Sequence, residues 1–202
     1  ESEIRTCTHD DGVGDGQPFE GETMRGFWDL FQHGKNKGAW NPCLEFRPKP
    51  PSGGEVRGYF QMPYTIVEKE SLKVASFLDL IGVKKGDRVG IFSKNTPQWT
   101  MAQLACASQG YVVTPLYETI GLNAMEHIIN HSGAKVIFTS TENLPKLLKC
   151  HDTCTHLSDI VVMDGPPPAT THPKSGIQVH SWRVITAISK EPKLKPRLVE
   201  PD

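Results

Sequence analysis

Gly86-Asp87-Arg88-Val89-Gly90-Ile91-Phe92-Ser93-Lys94-Asn95-Thr96-Pro97-Gln98-Trp99 carries a turn, a strand and the start of a helix in immediate succession. Gly86-Asp87 is a turn pair. Arg88 to Ser93 reads as a buried strand through Val89, Ile91 and Phe92. Thr96-Pro97 places an N-cap side chain ahead of a proline at the first helical position, where the missing N–H costs nothing. The predicted helix runs to Gln109, and Gly110 supplies a left-handed terminator. The cycle then repeats: a strand at Tyr111 to Leu116, a helix from Gly121 to His131 closed by Gly133, and a strand at Lys135 to Thr139. A helix at Thr141 to Lys149, a strand at Asp159 to Asp164, a turn at Gly165 to Pro168, a short strand at Ile177 to Val179 and a helix at Trp182 to Ser189 complete it. Short β-branched strands alternating with helices require crossover connections, and hence parallel pairing with helices on both faces. The expected fold class is α/β, an open, mostly parallel doubly wound (flavodoxin-like) sheet.

Upstream of this cycle, Thr65 with Glu68 forms an S/T-x-x-E capping box, and Val67, Ser71, Val74, Leu78 and Ile81 line one helical stripe until Gly82. Two strand-like pieces, Leu44 to Arg47 and Arg57 to Tyr64, flank the turn-forming run Pro48-Lys49-Pro50-Pro51-Ser52-Gly53-Gly54 and are expected to pair as a hairpin. The first forty residues are interrupted by Gly12, Gly14, Gly16, Gly21, Gly34 and Gly38, which predicts an irregular arm with one amphipathic stretch, Met24 to Phe31. The expected organisation is an arm over residues 1–43, an α/β unit over 44–190 and a linker over 191–202. A first residue of Glu and a Lys/Pro-rich final stretch are expected of a piece of a longer chain.

Composition narrows the function. The 202 residues hold 22 Lys and Arg against 23 Asp and Glu, a balance that disfavours the polyanion surface that counterion release requires, so no nucleic-acid partner is expected. No apolar run reaches the roughly 20 residues that span a bilayer, and no signal pattern opens the chain. No signal or transmembrane segment is therefore expected within these residues. The cysteine count of 5 is odd, which suits a reducing compartment. Cys150-His151 with Cys154 and His156 offers four zinc-type ligands in one short loop. Structural zinc usually draws ligand pairs from two separated elements, so ordinary loop and helix-end roles are expected there. His127 and His131 stand four apart on one helix face without a third ligand, which favours a solvated or partly packed pair. Gly12-x-Gly14-x-Gly16 has no strand before it and no helix after it, so it does not read as a nucleotide loop. There is no nucleophile elbow and no H-E-x-x-H motif.

In open α/β sheets, ligands bind at the carboxyl ends of strands. Here those ends are Ser93-Lys94-Asn95, Leu116-Tyr117-Glu118-Thr119 and Thr139-Ser140-Thr141. Each has a plainer reading. Asn95-Thr96 and Ser140-Thr141 are helix caps, and Glu118-Thr119 is the polar start of the next helix. Tyr117 either stacks on a ligand ring or covers the sheet edge.

At these residues the chain resembles a known family. Pro63-Tyr64-Thr65-Ile66-Val67-Glu68 resembles the first core motif of the adenylate-forming enzymes, and the segment from Gly86 to Trp99 is similar to their "GDRVGI…N.PEW" stretch. Gly110-Tyr111-Val112-Val113-Thr114-Pro115-Leu116-Tyr117-Glu118-Thr119-Ile120-Gly121 resembles the second core motif in its long-chain fatty-acyl-CoA synthetase form, "PLY(D/E)T(L/I)G". The likeness extends from about Thr23 to Lys149, and more loosely beyond.

That resemblance implies a ligase that joins a fatty acid to coenzyme A, using ATP and magnesium and passing through an acyl-adenylate. In related acyl-CoA synthetases the region after the second core motif lies near the coenzyme A nucleotide. By this likeness Tyr117, Glu118 and Thr119 are the coenzyme A-side candidates, although short-chain relatives carry a glycine pair where this chain has Glu-Thr. The family's "YTSGTTG.PKG" loop follows a linker like the one from Glu191 to Asp202, so the fragment alone is expected to be inactive. No catalytic residue and no metal ligand is expected within it. Its partners are then fatty acid, ATP, CoA and the remaining domains of the same chain. The rival readings are a stand-alone, non-catalytic α/β binding module and another adenylate-forming ligase with a different acyl substrate. A T-S-G-T-T-G-like loop beyond Asp202 would argue against the module.

Overall fold

The computed structural model of the chain describes residues 25–48, 58–165, 176–188 and 195–197. In order along the chain come α1 (Phe27–Lys37), β1 (Pro42–Phe46), β2 (Phe60–Pro63), α2 (Tyr64–Leu80), β3 (Arg88–Phe92), α3 (Pro97–Gln109), β4 (Val112–Leu116), α4 (Leu122–Ser132), β5 (Val136–Thr139) and α5 (Leu144–Cys150). A single 3-10 turn at His151–Thr153 leads to β6 (Asp159–Val162), β7 (Gln178–Ser181) and α6 (Trp182–Ile188).

Strands β3 to β7 form one sheet in the order β4-β3-β5-β6-β7, with every neighbouring pair parallel. Strand alternation explains its two cores. Val89 and Ile91 of β3, Val136 and Phe138 of β5 and Val161 of β6 pack with Val74, Phe77 and Leu78 of α2, Ala102 and Ala105 of α3 and Ile185 of α6. The opposite face takes Phe92, Ile137, Ile160 and Val162 and packs them with Met125 and Ile129 of α4 and Leu144 and Leu147 of α5. Each such fully buried side chain contributes about 1.5–3 kcal/mol. The predicted doubly wound sheet is therefore present, with helices on both faces. Gly110 and Gly133 end α3 and α4 in the left-handed region, with φ of 71° and 63°.

The expected hairpin is also present, as the antiparallel pair β1–β2 with Leu44 opposite Met62 and Phe46 opposite Phe60. It belongs to a third cluster, in which Trp28 and Phe31 of α1, Val67 of α2 and Met101 and Leu104 of α3 are buried against Leu44, Met62 and Tyr64. This corrects the reading of residues 27–37 as mostly irregular. A full helix forms because Trp28 and Phe31 find a buried partner surface on α2 and α3. Gly34, which suggested a break, lies inside that helix. A Cβ there would come within 2.8 Å of the Tyr64 hydroxyl, so glycine allows the ring to pack closely. The Gly12-Gly14-Gly16 run lies outside the described residues.

The Thr65–Glu68 capping box does not form. α2 begins at Tyr64 behind Pro63, with no side-chain cap. Carbonyls of the preceding loop take over that role: Asn41 accepts from the Tyr64 N–H at 3.3 Å and Ala39 from the Thr65 N–H at 3.1 Å. The Thr65 hydroxyl is buried with no hydrogen-bond partner. Glu68 turns instead toward α1, accepting from Gln32 Nε2 at 2.8 Å and Lys35 Nζ at 2.6 Å.

Candidate functional site

Because all five strands of the sheet run the same way, their carboxyl ends share one edge, and the three loops singled out above meet there. From β3 the chain crosses by α3 to β4 on one side. From β4 it crosses by α4 to β5 on the other, so the winding reverses between β3 and β5.

At this reversal the loops are tied together by side chains. The Thr96 hydroxyl accepts from the Trp99 N–H at 3.2 Å and caps α3 behind Pro97, as its sequence predicted. Ser140 Oγ accepts from the Asn143 N–H at 3.2 Å. Thr141 donates through both its N–H (2.6 Å) and its hydroxyl (3.0 Å) to Asp164 Oδ1, which ties the end of β5 to the end of β6. The helix expected from Thr141 starts only at Leu144. Residues 141–143 make a turn, and Pro145 lies in the first helical turn, where no N–H is needed.

The three coenzyme A-side candidates separate in space. Tyr117 is 80% exposed and Thr119 is exposed. Glu118 turns inward and is held. Asn143, itself buried, directs its side-chain amide to Glu118 Oε1 at 2.9 Å and to the Phe92 carbonyl at 3.4 Å. The Lys146 ammonium donates to the Glu118 carbonyl at 3.0 Å and to the Ile120 carbonyl, and lies over the Phe92 ring, 5.6 Å from its centroid. Thr139 Oγ1 also donates to the Phe92 carbonyl, at 3.1 Å.

Asn143 and Lys146 were not legible as site residues. Both fall where the sequence reads as the interior of a helix, and the only available signal was an Asn close behind a strand's carboxyl end. Lys94 stands in solvent beside this cluster, paired with Glu142 at 3.2 Å. Its ammonium pKa is raised by the hydrogen bond to Glu142 and by the charges of Glu118 and Glu142.

Two depressions open along the same edge. A cleft of about 510 Å³ lies at the ends of β6 and β7, lined by Met163, Asp164, Trp182, Arg183 and, from the start of α3, Gln98. A smaller one, of about 200 Å³, lies between Phe46 of the hairpin and Asn95-Thr96-Pro97. The exposed groups at this edge include the Tyr117 phenol, the Thr119 and Thr141 hydroxyls, the Lys94 ammonium, the Arg183 guanidinium and the Glu142 and Asp164 carboxylates, which can stack on a ring or bind charged groups.

The other candidate groups lie elsewhere. His127 and His131 are exposed on α4 with their rings stacked, 5.6 Å between centroids. Cys150 and Cys154 are buried in the core on the α4–α5 face, and burial raises both thiol pKa values, that of Cys154 to about 12. His156 is exposed. Among the described residues no group of three or more His, Cys, Asp or Glu side chains is placed to hold a metal ion. No helix among them is long and apolar enough to cross a membrane.

Comparison with known proteins bears on the family of the chain. The family model described as AMP-binding enzyme matches residues 47–199. Long-chain-fatty-acid–CoA ligase 1 of Cavia porcellus is 31% identical over 90% of this chain and 26% of its own length. A long chain acyl-CoA synthetase of Arabidopsis thaliana is 33% identical over 75% of this chain and 22% of its own length. The chain thus spans about a quarter of the relatives it matches. Among solved structures, an anthranilate CoA ligase in complex with anthranoyl-AMP superimposes with a TM-score of 0.67 at 18% identity, covering 87% of this chain and 29% of that one. The adenylation domain of a carboxylate reductase from Mycobacterium chelonae gives 0.69 at 16% identity, covering 86% and 30%. With the fold class shared and the family model covering most of the sequence, the chain belongs to the AMP-binding enzyme family.

Proposed function

We propose that this chain is the N-terminal part of a long-chain fatty-acid–CoA ligase, which joins a fatty acid to coenzyme A through an acyl-adenylate and releases AMP and pyrophosphate. The observation that carries this reading is Pro115-Leu116-Tyr117-Glu118-Thr119-Ile120-Gly121. It resembles the long-chain form of its motif and stands at the carboxyl end of β4, where a doubly wound sheet meets its ligand. Relatives named as long chain acyl-CoA synthetases support it.

In this reading residues 44–190 are a scaffold subdomain, 1–43 its leading arm and 191–202 a linker toward the phosphate-binding loop. Tyr117 and Thr119 face coenzyme A, the first with an aromatic surface and a hydroxyl, the second with a hydroxyl. Glu118 serves the same loop from within, as the acceptor that Asn143 grips. No step is assigned to magnesium on this chain. The reaction's bond-making belongs to the remainder of the polypeptide, and residues 1–202 alone are inactive.

The test is acyl-CoA and AMP formation by the whole polypeptide with ATP, CoA and a series of acids. Palmitate should be converted. If acetate or an aromatic acid gives acyl-CoA while palmitate gives none, the long-chain assignment is wrong. A polypeptide that converts no acid at all, or activity from residues 1–202 alone, also overturns the reading.

A further inference from the structure

The loop between β4 and α4 is too short and too exposed to fix itself. Within it runs one backbone hydrogen bond, from the Ile120 N–H to the Tyr117 carbonyl at 3.1 Å. Besides the packing of Ile120 against the α4–α5 core, its hold on the sheet comes from the other side of the winding reversal. Lys146 takes the carbonyls of Glu118 and Ile120, and Asn143 takes the Glu118 carboxylate.

These two anchors are themselves fixed. Asn143 is 8% exposed, its N–H is accepted by Ser140 Oγ, and its amide also reaches the last carbonyl of β3. Lys146 stands three residues further on, in α5, and rests on the Phe92 ring. The turn before α5 and the start of that helix thus grip the loop at alternate residues, Glu118 and Ile120. What the grip leaves outward is Tyr117 and Thr119.

We propose that Asn143 and Lys146 are positioning residues that hold the Tyr117–Ile120 loop in the conformation that receives coenzyme A, and so set the affinity for the thiol donor and not for ATP or the fatty acid. The proposal rests on the ligase reading above for the identity of the ligand. The clamp itself rests on the hydrogen bonds. Lys146 donates to two carbonyls from one ammonium, so methionine, which has no donor, removes the contact, and arginine keeps donors but in a different geometry.

The experiment uses the whole polypeptide and the variants Lys146→Met, Lys146→Arg and Asn143→Ala. In Lys146→Met the KM for CoA should rise about tenfold, the scale on which a small misplacement of a binding group is felt, while the KM values for ATP and palmitate stay within about twofold. Lys146→Arg, which keeps donors but not their geometry, should fall between wild type and Lys146→Met. Asn143 is buried and its truncation risks the fold, so Lys146→Met carries the decision.

Hydrogen exchange at the Ile120 amide, which makes the loop's backbone hydrogen bond, measured on the same proteins, reads the clamp independently of catalysis. It should be about tenfold faster in Lys146→Met than in wild type, as expected where local opening becomes easier. Unchanged exchange overturns the clamp. Faster exchange with all three KM values raised alike, or with none raised, overturns its role in CoA affinity. A wild-type polypeptide that makes no acyl-CoA overturns the ligase reading, and with it the CoA assignment, while exchange still decides the clamp.

Discussion

Thr65 shows how a local motif can be right in its letters and wrong in its physics. The spacing to Glu68 fits a capping box, yet both side chains are used otherwise, because the loop before β1 brings two backbone carbonyls to the helix start. The hydroxyl is then a buried polar group without a partner. Such a group costs about 1–3 kcal/mol to bury, so Thr65→Val, which keeps the shape and removes the polarity, should raise the unfolding free energy by about 1 kcal/mol. Urea denaturation of the 202-residue chain measures this. A loss of about 1 kcal/mol would mean that the threonine caps α2 after all. Glu118 teaches the same lesson at the functional edge. Sequence placed it beside Tyr117 and Thr119 as an equal, but the side chain that decides its direction, Asn143, is 25 residues away along the chain.

Elements whose signals lie within a few residues of their ends were legible, and those that depend on distant partners were not. Thr96-Pro97 marked the start of α3 and Gly110 its end, because caps and left-handed terminators are local chemistry. The continuous apolar runs in β3, β5 and β6 announced strands buried on both faces. α1 was underestimated because its stability comes from burying Trp28 and Phe31 on α2 and α3, which no window of sequence contains. α5 was started too early because residues 141–143 are drawn into a turn by Ser140 and Asp164.

The turn before β3 combines both cases. Gly86-Asp87 was readable as a turn, but the Asp87 carboxylate also accepts from the Lys84 N–H at 2.8 Å and from Lys135 Nζ at 2.7 Å, at the threshold of β5. Burial works to raise the Asp87 pKa. The hydrogen bonds from Lys135 and Lys84 and the charges of Lys135 and Arg88 outweigh it and leave the pKa below its ordinary value. A lowered pKa means that ionised Asp87 stabilises the fold above the unfolded-chain pKa of about 3.9 and that this contribution is lost as the pH falls through the folded value. Solvent screening of this exposed pair keeps the effect small, so Asp87→Ala should cost about 0.5–1 kcal/mol near neutral pH, and the difference from wild type should shrink under acid. A difference that stays constant from neutral pH into acid would remove the ion pair from the account.

At the scale of the whole molecule, one sheet with a core on each side decides what is reachable from solvent. Cys106 lies in the core under α2 and α3, and Cys150 and Cys154 lie in the core under α4 and α5. This is why, among the described residues, the zinc-type ligands of that loop form no metal site: the Cys150 and Cys154 thiols face the core while His156 faces solvent. Burial raises the pKa of all three thiols, those of Cys106 and Cys154 to about 12, so the thiolate that would attack an alkylating agent or bind a metal is suppressed as well as covered. Iodoacetamide at pH 8 should leave all three unmodified in the folded chain and modify all three once the chain is unfolded in denaturant, with the sites assigned by peptide mass spectrometry. Because the two cores share the sheet between them, protection should be lost from both sides in one transition as denaturant rises. If Cys150 and Cys154 become reactive well before Cys106, the face carrying α4 and α5 opens on its own, and the Asn143–Lys146 clamp would then sit on the less stable half of the molecule.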